Sequence, residues 1–135
     1  MAQYAHITLL DNGPQVILTR AATTNRIVQH LLKAYTAGDS YATVTATNSV
    51  GNVALTAANV PITGAAGAAR VMTFAQVAGG NATGAAAGGS NLHLAIVDST
   101  TSEVLLVTNE TTDQQIVSGN PLTFPSWTYT VPQPV

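Results

Sequence analysis

The chain has 135 residues, no cysteine and a formal net charge of −2, enough for one domain with a real core but without disulfide staples or thiolate zinc sites. Apolar residues make up 46% and charged residues only 7%, against roughly a quarter charged in ordinary soluble domains, so Thr, Ser, Asn and Gln must carry solubility or other subunits must cover the surface. Lys33, Arg20, Arg26 and Arg70 are the only lysine and arginines, too scattered for a nucleic-acid track or a lipid-facing basic stripe, and no run nears the roughly eighteen apolar residues of a membrane span.

The opening MAQYAHITLLDNG lacks both a positive n-region and an uninterrupted apolar core, so no signal peptide is expected. Tyr4–Leu10 reads as a first strand. Asp11-Asn12-Gly13-Pro14 punctuates it, either as a turn or as an N-cap with Pro14 at the first helical position of a short helix over Gln15–Ala22; the helix is favoured. Asn25–Tyr35 places Ile27, Val28, Leu31, Leu32 and Tyr35 at helical spacing, yet a buried strand over Arg26–Leu32 fits an all-β context better. Ser40–Thr47 alternates Thr and Tyr against Ala and Val, the pattern of a half-buried strand. Asn48–Asn52 reads as a turn and Val53–Leu55 as a short strand, with Pro61 marking a strand end or edge.

Gly64–Gly67 is expected to be a flexible connector. Arg70–Val77 is a strand with Met72 and Phe74 on one face. Ala78–Gly89 is rich in Gly and Ala; a mobile surface loop is expected, the alternative being a strand of small side chains packed close to another backbone. Leu92–Val97 and Val104–Val107, joined by Asp98–Ser102, form a β-hairpin, with Leu92, Leu94 and Ile96 on one parity. His93 falls on the other and is expected to face solvent or a subunit. Asn109–Asp113 is a turn, Gln115–Val117 a short strand and Ser118–Pro121 a tight reversal. Leu122 and Phe124 are out of phase with Trp127, Tyr129 and Val131, which predicts a bulge or kink at Pro125-Ser126.

Seven to nine short strands with frequent turns predict an all-β fold, an antiparallel two-sheet β-sandwich of jelly-roll type with one short N-terminal helix. Residues 1–135 form a single such domain with extended N- and C-terminal segments. Site chemistry is sparse. His6, His30 and His93 show no metal-ligand spacing and read as structural or interface histidines. Asp11, Asp39, Asp98, Glu103, Glu110 and Asp113 fall mostly in turns, where carboxylates cap backbone amides. The glycines at 79–84 lack the GK[ST] of a phosphate loop. Trp127 and Tyr129 read as core or interface aromatics, with a sugar platform as the other role. No enzyme, catalytic residue, metal or cofactor is expected.

From Arg70 onward the chain resembles a group of small structural proteins of tailed-bacteriophage virions. The residues that carry the resemblance are RVMTFAQVAG at 70–79, the Gly-Ser-x-x-His-x-Ala-x-x-Asp run at 89–98, the return strand Val104–Thr108 and QIVSGNPLTF at 115–124. The first half matches only through Thr24–Val28. The Gly/Ala-rich stretch before Gly89, and Pro121, depart from the group's pattern. The resemblance implies a capsid decoration (cement) protein: a homo-oligomer, with a trimer favoured over a dimer, on the capsid exterior. Its partner would be the major capsid protein, with no direct nucleic-acid or membrane contact. Ala2–Leu10 or Thr130–Val135 would then reach the capsid or a neighbouring protomer. The alternative is a tail-fibre or receptor/glycan-binding module.

Overall fold

The computed structural model describes residues 4–5, 12–65, 68–111 and 114–132. Pro14 opens a short helix, α1 (Gln15–Ala21), where its missing N–H costs nothing because first-turn donors have no intrahelical partner. Ile17 and Ala21, one turn apart, are its buried residues, and Gln15 and Thr19 face out.

The rest is mostly β, all of it antiparallel. Ten strands stand among the described residues: β1 (Tyr4–Ala5), β2 (Ile27–Leu32), β3 (Ser49–Ala54), β4 (Ile62–Thr63), β5 (Arg70–Phe74), β6 (Val77–Asn81), β7 (His93–Asp98), β8 (Glu103–Asn109), β9 (Pro121–Phe124) and β10 (Trp127–Val131). They form a five-stranded sheet ordered β1-β8-β7-β2-β3, a three-stranded sheet β10-β5-β4 and a pair β6-β9.

The expected hairpin is present as β7 and β8 and lies at the middle of the larger sheet. Position there explains two features of the sequence. Five of the six β2 residues and all six β7 residues are buried, so both faces of these strands are covered. That is why β2 is apolar on consecutive positions and mimics helical spacing; it is a strand. It also overturns the expected exposure of His93, which is 1% exposed.

The second face is covered by a segment whose alternation predicts a strand. Ser40–Thr47 is not a strand: residues 41–48 are helical, with a π-helical turn over Thr43–Asn48. Ser40 Oγ accepts from the Thr43 amide at 3.1 Å and its carbonyl accepts from Val44 at 2.9 Å, a serine cap starting a helix. The turn buries Val44 against Leu32, Ala95, Val97, Val104 and Val107, and that burial overrides the β-propensity of Thr and Val. Asn48–Asn52 is likewise no turn, because Ser49 begins β3.

The other face of the sheet meets a bent ribbon. Trp127 pairs with Phe74 in the β10–β5 ladder and Val77 with Phe124 in the β6–β9 ladder, so one antiparallel register runs through both pairs. The predicted break at Pro125-Ser126 is there, opposite Ala75-Gln76. Pro125 has no N–H to give a ladder, so the ribbon bends at that level and its halves fall in separate sheets. One half packs Met72 and Phe74 against Ile17, Ile27, Ile96 and Leu105. The other packs Phe124 against Leu31, Val50, Leu92 and Leu94.

Small residues make the second half possible. A Cβ on Gly79 would run into the Phe124 ring, so residues 78–81 are the close-approach strand, while the rest of the Gly/Ala-rich segment is turn and loop apart from the bridge at Ala86. Ala82 donates to Asn120, Thr83 and Gly84 to Val50, and Ala86 exchanges two bonds with Ile116. Gln115–Val117 is reduced to that single bridge. The reversal after it closes with Asn120 donating to Val117 at 3.1 Å, with Gly119 at φ 90°, a value L side chains rarely adopt. Of the connector at 64–67, residues 66–67 lie outside the described residues, as does most of the first predicted strand and of the 109–113 turn's far end.

Candidate functional site

Charge is concentrated at one end. Asp98, fully buried, accepts from Arg26 Nε at 3.0 and 3.2 Å and from Arg20 Nη1 at 2.9 Å. Arg20 also reaches Glu103 at 2.9 Å, and the amides of Thr100 and Thr101 cap the Asp98 Oδ1 at 2.9 and 3.2 Å. Burial pushes the Asp98 carboxyl up, but these amides and Arg26 more than offset it and hold it below the usual carboxylate range. The network ties the β7–β8 turn to α1 and to the start of β2. Asp98 caps turn amides as the sequence suggests; the ion pairs that it and Glu103, on β8, make with the arginines are the structure's addition. Asp39 does the same elsewhere, accepting from the Thr36 amide at 2.9 Å. Asp11 and Asp113 lie outside the described residues.

The histidines are not gathered into a site. His6 lies outside the described residues. His30 is 6% exposed and bonds Ser49 Oγ through Nδ1 at 2.9 Å; burial lowers its pKa to about 4. His93 Nδ1 lies 3.0 Å from the Asn91 carbonyl and its ring is 5.7 Å from that of Tyr35. Among the described residues no three His, Asp or Glu side chains come together as a metal site.

The aromatic platform does not form as an open surface. The Trp127 ring stacks on Phe74 at 4.1 Å and 11°, which places it half-buried over the bend and packed against both clusters there. Trp127 and Tyr129 do border a groove of about 370 Å³, whose far wall is Tyr4 of β1 and Leu106–Thr108 of β8. A second cleft of about 350 Å³ has a floor of Leu31, Leu92, Leu94 and Phe124 and a rim that includes Glu110, Gln114 and Asn120. The sequence did not reveal it, because its floor and rim come from strands and turns far apart in the chain.

The remaining feature is a surface. On the outward side of the ribbon Thr73 lies beside Thr128 and Val71 beside Thr130, with Thr63 next to Val71 on β4. Past the bend Ala78 lies beside Thr123. Thr63, Ala78, Thr123, Thr128 and Thr130 are exposed, and none of the seven carries a charge. The signal was the alternation of Thr with aromatic or apolar residues, legible once the inward set was known.

No protein-family model matches the chain, and comparison with the curated proteins and with the solved structures returned no match.

Proposed function

We propose that this chain is a virion structural protein, a capsid decoration (cement) protein that binds the outer head surface as an oligomer and bridges capsomers of the major capsid protein. The reading takes the fold as a β-sandwich, with the bent ribbon as one layer and the five-stranded sheet as the other. Its support is the resemblance over 70–124 together with one observation, the uncharged, threonine-rich outer face of the ribbon. Such a face has no ionic partner to seek and presents methyls and hydroxyls to another protein surface. Its docking draws on shape, apolar contact and hydrogen bonds. Repeated over the copies of an oligomer, modest contacts add to firm attachment. No reaction is required of the chain.

The test is binding to purified heads. Wild-type protein should co-sediment with them, and raising salt from about 0.05 to about 0.5 M should change the affinity less than about threefold, since no exposed charge is neutralised. Thr73→Lys or Thr123→Glu should abolish co-sedimentation while leaving the circular dichroism unchanged. No binding by the wild type, or density for the chain away from the shell in a virion map, would overturn the reading.

The cleft over Leu31, Leu92 and Leu94 favours a second reading, a tail-fibre or receptor-binding module that holds glycan. Glu110, Gln114 and Asn120 are groups that bond sugar hydroxyls. A glycan-array signal lost in Asn120→Ala, with tail density in the virion map, would replace the first reading with this one.

A further inference from the structure

The strand β10 ends its sheet. All five of its residues pair with β5 on one side without a bulge, and no strand lies on its other side among the described residues. Exposed edges in soluble proteins carry protection, such as a lysine, a proline, a bulge or an inward charge. Trp127-Thr128-Tyr129-Thr130-Val131 has none, and consists wholly of the aromatic and β-branched types that favour pairing most. The groove beside it is lined by Tyr4, Leu106, Val107 and Thr108 opposite Trp127–Thr130, so a charged peptide would find no complement.

The same five residues complement themselves. Laid antiparallel on an identical strand and centred on Tyr129, they bring Trp127 opposite Val131, Thr128 opposite Thr130, and Tyr129 opposite its own counterpart. Aromatic with β-branched, threonine with threonine and aromatic with aromatic are the cross-strand pairs that stabilise sheets. An antiparallel pair of identical strands has a two-fold axis through its middle, which is an isologous, closed contact.

We propose that β10 is a self-association edge at which a second copy of this chain adds its own β10 antiparallel, making one six-stranded sheet ordered β4-β5-β10-β10-β5-β4. Trp127 and Tyr129 stay on the core side. Thr128 and Thr130 stay outward, so the uncharged face continues across the axis. The pairing needs no capsid, and it makes the unit a dimer where the resemblance favoured a trimer.

The full chain is tested by sedimentation equilibrium at micromolar concentration, with circular dichroism reporting the fold of each variant. The wild type should be a dimer. Thr128→Lys/Thr130→Lys puts like charges opposite each other twice, and should weaken the dimer more than tenfold with the fold retained. Thr128→Lys/Thr130→Glu puts opposite charges across the same pairs and should restore it. A wild-type monomer or trimer overturns the proposal, and so does a dimer that the double-lysine change leaves intact. Failure of the opposite-charge variant to recover association overturns the register.

Discussion

Arg26 and Asp98 are 72 residues apart in the chain and 3.0 Å apart in space. The contact closes the end of the sheet where β2 begins and β7 stops, and it is reinforced by Ser99, whose amide donates to the Arg26 carbonyl at 2.8 Å. With Arg20 on the same carboxylate, three segments (α1, the β2 entry and the hairpin turn) converge on one buried oxygen pair. Asp98→Ala would leave two partly covered guanidiniums without their common acceptor and two turn amides uncapped. Breaking a buried pair from one side costs several kcal/mol; with both arginines partly exposed, a loss of about 3 kcal/mol is expected. Urea unfolding measures it. A loss under about 1 kcal/mol would mean that solvent substitutes for the carboxylate.

Acidification should act through His30 first. Its pKa is about 4 when folded, against 6.5 when free, so below pH 6.5 the unfolded chain takes up a proton that the folded chain refuses. Stability therefore falls as pH drops from 6.5 to 4, by up to about 3 kcal/mol. Below that range Asp98, held low in the fold, adds its own loss as it is protonated. Thermal unfolding between pH 7 and 4 should show the slope, and His30→Gln should flatten it. An unchanged slope in that variant would assign the effect to another group.

Two glycines should respond differently to alanine. At Gly79 the new methyl meets the ring of Phe124, which is 2% exposed and packed among Leu31, Val50, Leu92 and Leu94. Overpacking of this kind costs typically about 1–3 kcal/mol, and about 2 kcal/mol is expected for Gly79→Ala. At Gly51 the obstacle is the end of the Leu122 side chain, which is only half-buried and can shift toward solvent, so Gly51→Ala should cost less than about 1 kcal/mol. Equal losses at the two sites would show that the β6–β9 pair yields as readily as a surface leucine.

Gln29 is wholly buried, and neither its Nε2 nor its Oε1 finds a partner among the described residues. It shares a face of β2 with Ile27 and Leu31, one in each of the two clusters on that side. Unpaired amide groups in such a place cost about 1–3 kcal/mol, and an apolar replacement of the same length avoids that cost. Gln29→Met should raise stability by about 1 kcal/mol in denaturant titrations. A clear loss instead would reveal that the amide is bonded in solution.

The sequence by itself determined the β-rich class, the central hairpin, the short helix behind Pro14 and the break at Pro125-Ser126. These rest on local causes: period-two alternation, a fixed proline φ and a phase slip between adjacent runs. Only the tertiary structure decided which faces are covered. Residues 41–48 fold over the hairpin, so a threonine-rich strand pattern becomes a helical turn, and His93, beside the Tyr35 ring, is buried where exposure was expected. The same holds for the glycine-rich stretch, whose small side chains mean mobility in isolation and close contact when Phe124 lies across them. Covering a face, meeting a ring and sharing Asp98 between two arginines depend on segments distant in the chain, and no local window of sequence contains both partners.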